Sequence, residues 1–266
     1  MRGGETLLNT ELMGPRSLAD AKQWMLDRLD KRIHPMGLTD VGATKTVIEK
    51  LDGLDGERWA RAWMNQGDHY IADAEIAEKA GDQAKAASFY FMGRFPCPNH
   101  PAKEESYRRA ASAYRRFGAL ADPLIETIRL PFLGRSGEGN EIVAYLRMPR
   151  HIERPPVIVM WGGVDAWKEE MTILTEDIAR QGFATVALDN VGTGESPIKA
   201  GQDGERQFLP VFDWVEQSGR FDASRMAIVG RSFGGHWATK LAHLMPERFR
   251  AAVNWGGGIH YMFQPD

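Results

Sequence analysis

The pentapeptide Gly230-Arg231-Ser232-Phe233-Gly234 sets a serine among glycines where an apolar run, Met226-Ala227-Ile228-Val229, gives way to a helical one. Strand, sharp turn and helix in that order can push a serine hydroxyl into a cleft, the glycines letting strand and helix approach closely. A hydroxyl held that way can act as a nucleophile towards a carbonyl carbon. A serine that only caps the following helix would fit the same string, but the strand before it favours the nucleophile. Attack on a carbonyl creates an oxyanion, which needs hydrogen-bond donors aimed at it. The backbone N–H of Phe233, at the positive end of the following helix, is one expected donor. The other is expected from Trp161-Gly162-Gly163-Val164, after the apolar run Val157–Trp161, with the N–H of Val164 facing the cleft. A plain tight turn is the alternative reading of the glycine pair. Gly163, Arg231 and His260 are expected to line the pocket, His260 because it follows the apolar run Ala251–Trp255. A further glycine-rich segment, Asp189-Asn190-Val191-Gly192-Thr193-Gly194-Glu195-Ser196, has no Gly-Lys-Ser/Thr and misses the GxGxxG spacing. It reads as a turn at the rim of a sheet rather than a phosphate loop.

The elements that must position these residues fall into two textures. From Ser17 to about Ala121 apolar residues recur every three or four positions among Ala, Glu, Lys, Arg and Gln, the pattern of amphipathic helices. Helices are expected over Leu18–Ile33 with Ser17 as N-cap, Ala43–Leu51, Gly56–Ala80, Asp82–Phe95 and Ala102–Leu120, with a break at Gly81. Trp24, Trp59, Trp63, Tyr70, Phe89, Tyr90 and Phe91 lie in this part, and aromatics at helical spacing are core more often than pocket. Beyond Pro123 short β-rich runs alternate with helical ones. Ile125–Pro131 and Glu141–Met148 flank a glycine-rich turn and suggest an antiparallel hairpin. Apolar strands at Val157–Trp161, Ala184–Leu188, Met226–Val229 and Ala251–Trp255 alternate with helices, which predicts a mostly parallel sheet covered on both faces. The fold class is therefore α/β, with a helical N-terminal domain over residues 1–123 and a sheet-based core over 124–266.

Composition narrows the partners. The net charge is −3, from 33 Lys+Arg and 36 Asp+Glu, and without a basic run neither nucleic acid nor an anionic membrane is an expected partner. The single cysteine, Cys97, cannot pair within the chain, and the first residues lack the apolar core of a secretory signal. Both point to the cytoplasm. No His, Cys and carboxylate cluster has metal-ligand spacing, and nothing calls for a metal or cofactor.

Together with the helical N-terminal region and the edge hairpin, four stretches resemble the α/β-hydrolase superfamily. They are Trp161-Gly162-Gly163-Val164-Asp165-Ala166-Trp167-Lys168-Glu169-Glu170, the Asp189 to Ser196 turn, Gly230-Arg231-Ser232-Phe233-Gly234-Gly235 and Val253-Asn254-Trp255-Gly256-Gly257. More narrowly, the chain resembles the branch that holds 2,6-dihydroxypseudooxynicotine hydrolase, the fungal polyketide-shortening hydrolases and the esterase-like fermentation/respiration switch protein. The resemblance implies a serine hydrolase with Ser232 as nucleophile and the backbone of Phe233 and Val164 as oxyanion hole. It also implies a carbonyl substrate, aromatic or polyketide-like, bound between helical domain and core and cleaved at a carbon–carbon bond beside a ketone or at an ester.

In that superfamily the acid and the histidine follow the serine on later loops. Two further strand–helix units of ~30 residues each would be wanted beyond Trp255, so the triad Asp and His are expected to be absent from this chain. His236 and His243 lie on the helix leading away from the serine, and His260 has no carboxylate near it in sequence but the terminal Asp266. The reading preferred from sequence is a fragment of a longer hydrolase, over a shortened homologue or a base borrowed from another subunit. An unpaired apolar far edge then predicts aggregation or a homodimer. The competing functional class is a non-catalytic binding or regulatory protein on a hydrolase scaffold.

Overall fold

The computed structural model describes residues 17–29, 40–77 and 79–258. The helices come first: α1 (Leu18–Leu26), α2 (Val41–Lys50), α3 (Gly56–Ala77), α4 (Ala80–Arg94) and α5 (Pro101–Leu120). Local chemistry sets their starts. The Ser17 hydroxyl accepts from the Asp20 N–H and the Asp40 carboxylate from the Ala43 N–H, each satisfying a donor the helix itself cannot. His100 does the same for Ala102, with Pro101 at the first helical position, where its missing N–H costs nothing.

Helix α2 begins at Val41 rather than Ala43, and two other boundaries differ further from the sequence expectation. Helix α1 ends at Leu26, with Asp27 and Arg28 turning back onto the Gln23 and Met25 carbonyls; the expected continuation beyond residue 29 lies outside the described residues. The break between α3 and α4 falls before Ala80, so Gly81 sits in the first turn of α4. Nothing lies near a Cβ built on it, and a glycine in an open first turn leaves no mark that fixes a boundary.

The strands are β1 (Ile125–Pro131), β2 (Glu141–Arg147), β3 (Val157–Trp161), β4 (Ala184–Leu188), β5 (Met226–Arg231) and β6 (Ala251–Trp255), in the order β1-β2-β4-β3-β5-β6. β1 and β2 form the antiparallel edge pair, β2 meets β4 antiparallel, and β3 pairs in parallel with β4 and β5, as β5 does with β6. The remaining helices are α6 (Thr172–Arg180), α7 (Leu209–Gln217) and α8 (Phe233–Leu244), the first two entered through short 3-10 turns. Alternation sorts the faces. Val157, Val159 and Trp161 pack towards α7 and α8 with Val211, Phe212, Trp237 and Leu241, while Met160 and Ala187 face α6 with Ile178. Helices thus cover both faces of a mostly parallel sheet, the α/β-hydrolase arrangement. β6 is the far edge, and its Val253 and Trp255 are exposed.

The helical region is joined to the sheet by a shared core. Tyr90 and Phe91 of α4 and Tyr107 and Tyr114 of α5 pack in one cluster with Ile125 of β1, Tyr145 of β2 and Trp167. Trp63, Phe89 and Phe91 are fully buried; these aromatics are core, as their spacing suggests.

Candidate active site

β5 delivers the chain to Ser232, which has φ +53° and ψ −130°, and α8 begins at the next residue. Positive φ is strained for a residue with a Cβ, so the turn needs support. The Ser232 N–H donates to the Trp255 carbonyl of β6 at 2.9 Å, and the Gly235 N–H to the Ser232 carbonyl at 2.8 Å. Glycines admit the close approach. A Cβ on Gly234 would lie 2.2 Å from the Gly162 carbonyl oxygen, and one on Gly163 would lie 2.8 Å from the Ser232 Cβ and 3.1 Å from its Oγ. Trp161 Nε1 donates to the Gly234 carbonyl at 2.8 Å, locking β3 to the elbow. The glycine pair after β3 and the pentapeptide after β5 therefore meet, about 70 residues apart in sequence, with Gly163 against the side chain of the exposed Ser232.

The other sequence candidates occupy different places. Val164 is 64% exposed, and its carbonyl accepts from Trp167 Nε1 at 3.1 Å. The Arg231 guanidinium lies 5.4 Å from the centre of the Trp255 ring, beside the serine. His260 and Asp266 lie outside the described residues. His236 stacks on Phe233 with ring centres 5.8 Å apart, and burial, then Lys240, lowers its pKa. His243 Nδ1 lies 2.8 Å from the Thr239 carbonyl. Among the described residues no histidine is hydrogen-bonded to the Ser232 hydroxyl.

Sequence reasoning missed a buried ionic junction beside this site. Lys168 Nζ, fully buried, lies 2.6 Å from Asp189, 2.9 Å from Glu195, 3.1 Å from Glu169 and 3.2 Å from the Tyr107 hydroxyl. Arg115 of α5 reaches both oxygens of Glu195, at 2.5 and 2.6 Å. The glycine-rich turn wraps the Asp189 carboxylate, which accepts from the Lys168 and Glu195 N–H groups. Burial works against the Lys168 ammonium, yet Asp189, Glu169 and the two tyrosines Tyr107 and Tyr145 together hold its pKa well above the usual lysine value. Burial likewise pushes the Glu169 carboxyl up. The sheet-rim turn is thus also the acidic lining of a cation site spanning α5 and the core.

Outside that junction, the Glu170 carboxylate is also buried, capping the Trp167 N–H at 2.5 Å and lying 3.3 Å from Arg94. Burial outweighs Arg94, which is also shared with two backbone carbonyls, and lifts the Glu170 pKa to about 7. The native state therefore holds this proton more tightly than the unfolded chain. The resulting stability is complete below the unfolded value of 4.5 and is lost as pH rises through about 7. Across that window the change is on the order of 3 kcal/mol. Glu170→Gln keeps an acceptor but cannot ionise, so its melting temperature is expected to fall less steeply from about pH 5 to about pH 8 than the parent's; equal slopes in a pH series of melts would refute the assignment.

A family model described as Esterase FrsA-like matches residues 38–266. The chain belongs to the FrsA-like esterase family. Among curated relatives, Esterase FrsA of Photobacterium profundum is 27% identical over 256 residues, covering 90% of this chain and 60% of the relative. The 2,6-dihydropseudooxynicotine hydrolase of Paenarthrobacter nicotinovorans is 25% identical over 208 residues, covering 75% of this chain and 55% of the relative. Among solved structures, wild-type AbyA5 superposes with a TM-score of 0.71 at 28% identity, covering 94% of this chain and 65% of that one. The 2,6-dihydroxy-pseudo-oxynicotine hydrolase shares the fold, with a TM-score of 0.72 at 22% identity over 84% of this chain and 64% of that one. The FrsA-like chain thus spans somewhat more than half the length of these curated relatives.

Proposed function

We propose that this FrsA-like protein is a serine hydrolase with Ser232 as nucleophile. The observation that carries the reading is the strained backbone of Ser232 between β5 and α8, an exposed residue with Gly163 packed against its side chain. A helix cap needs no positive φ, and the Ser232 side chain caps nothing. Strain of this kind persists where the surrounding structure enforces it, most often at functional sites. In the proposed reaction Ser232 Oγ gives its proton to a base and bonds to the substrate carbonyl carbon. The oxyanion so formed sits between the N–H groups of Phe233 and Val164. Its collapse breaks the carbonyl carbon's bond to the leaving group, an alcohol or, at a carbon–carbon bond beside a ketone, a carbanion equivalent that takes up a proton. Water then releases the acyl group. The base and the acid that orients it come from outside the described residues.

The substrate is an aromatic or polyketide-like carbonyl compound bound between a helical domain, 1–123, and a hydrolase core, 124–266. The names of the relatives, an esterase and a pseudooxynicotine hydrolase, support that class. A fluorophosphonate probe on the full-length protein tests the nucleophile: the parent is expected to be labelled stoichiometrically and Ser232→Ala not at all. Equal labelling of the two would exclude Ser232, and an unlabelled but well-folded parent would favour a binding role for the scaffold.

A further inference from the structure

The helical region holds the loop carrying the proposed oxyanion donor through the rings of Phe91 and Tyr107 on Trp167 and through one polar side chain. Arg94, the last residue of α4, is fully buried. Its Nη2 donates to the Asp165 carbonyl at 2.8 Å and lies 3.3 Å from Glu170, while Nη1 donates to the Pro96 carbonyl at 2.6 Å. The guanidinium carbon, Cζ, lies 3.9 Å from the centre of the Trp167 ring and 4.2 Å from that of Phe91. Trp167 in turn donates from Nε1 to the Val164 carbonyl, and its own N–H is capped by Glu170. Two consecutive carbonyls of the loop, those of Val164 and Asp165, are therefore each held by a side chain that Arg94 supplies or orients. The loop closes tightly on itself as well, since a Cβ on Gly162 would fall 1.8 Å from the Ala166 carbonyl oxygen. With the peptide planes after Val164 fixed, the torsions that aim the Val164 N–H have little freedom left.

We propose that Arg94 is a positioning residue for hydrolysis, its contacts with the Asp165 carbonyl, Glu170 and Trp167 holding loop 162–167 so that Val164 presents its N–H to the oxyanion on Ser232. The proposal rests on the nucleophile reading above. It follows that α4 acts on the chemistry through the loop and not through the substrate. Arginine suits the task because its planar fork can donate to two carbonyls while one face lies on an indole; a lysine ammonium offers neither the plane nor the fork. A donor displaced by about 1 Å is enough to lose about a hundredfold in rate.

The test compares Arg94→Met and Arg94→Lys with the parent, each made in the full-length protein, in hydrolysis of p-nitrophenyl butyrate, each rate divided by the sites titrated to completion with a fluorophosphonate. kcat per titrated site is expected to fall about 10- to 100-fold in Arg94→Met and by less in Arg94→Lys, with KM within about twofold of the parent. The dissociation constant of a trifluoromethyl ketone that forms a hemiketal on the serine is expected to rise by the same factor as kcat/KM falls. A purely structural Arg94 would instead reduce the number of titratable sites and the melting temperature while each remaining site kept the parent kcat, and that result overturns the proposal. Should Arg94→Met fail to fold, Trp167→Phe keeps a ring under the guanidinium and removes the bond to the Val164 carbonyl. It is expected to lower kcat about tenfold, and an unchanged kcat overturns the proposal. Failure of the nucleophile reading shows separately, as probe labelling that survives Ser232→Ala, and the proposal would fall with it.

Discussion

Ser232→Gly is expected to abolish hydrolysis and at the same time to make the protein more stable. Loss of an attacking serine typically lowers kcat by about 10⁴- to 10⁶-fold, because the base and oxyanion donors then have only water to work on. The stability gain comes from the backbone. Ser232 sits at φ +53°, ψ −130°, where a residue with a Cβ is strained by about 1–3 kcal/mol and glycine is not. Glycine's greater freedom in the unfolded chain offsets part of this, about 0.5–1 kcal/mol, leaving a net gain of about 1 kcal/mol, or roughly 2–4 °C in melting temperature. Ser232→Ala, which keeps the Cβ, should lose activity without the gain. Thermal melts of the three proteins beside ester kinetics check both halves. A glycine variant less stable than the alanine one would mean that the elbow is not under strain.

The second large effect concerns stability alone. Lys168→Met replaces a buried cation with an apolar chain of similar reach and leaves Asp189, Glu169 and Glu195 gathered around it, with Arg115 bound to Glu195 alone. Removing one partner of a buried ionic group costs about 3–5 kcal/mol, because the charges left behind have lost both water and counterion. For a chain of this size that is a fall in melting temperature on the order of 10 °C. The deficit should narrow on acidification, as protonation discharges the stranded carboxylates, so that parent and variant draw closer at about pH 5 than at about pH 8. Urea unfolding at the two pH values measures it. A deficit under about 1 kcal/mol at the higher pH would show that the cluster is already compensated without the lysine.

The two glycine motifs are legible because their information is local. A serine between strand and helix, and a glycine pair after another strand, carry their geometry in a few neighbouring residues, and the parallel order of the sheet brings them together. The central strands β3 and β4 are equally legible, since apolar runs buried on both faces leave little ambiguity. Lys168, Glu169, Asp189, Glu195, Arg94 and Arg115 are not legible. Arg94 meets the Asp165 carbonyl across 71 positions of sequence, and Arg115 meets Glu195 across 80. In a one-dimensional reading, arginine and glutamate at helical spacing describe a solvated face. Only the docking of α4 and α5 onto the sheet turns those faces inward. The one available hint is Lys168-Glu169-Glu170 directly after a glycine loop, where three charges at the start of a segment facing a buried strand need partners.

The junction between α5 and the core also constrains how a substrate arrives. Swinging the helices away from the sheet would strip Lys168 of Tyr107 and Glu195 of Arg115, and uncover Tyr114, Tyr145 and Trp167 together. Such an opening would break the Arg115–Glu195 pair and expose that shared aromatic cluster to water, at a cost of about 25 cal/mol for each Å² of apolar surface uncovered. The shared core therefore weighs against entry by a hinge-like swing of the helices. Under the proposed reading a ligand would reach Ser232 along the rim where Val164 and Trp255 are exposed, and the shape of that rim would set the traffic of substrate and product while the helices stay seated.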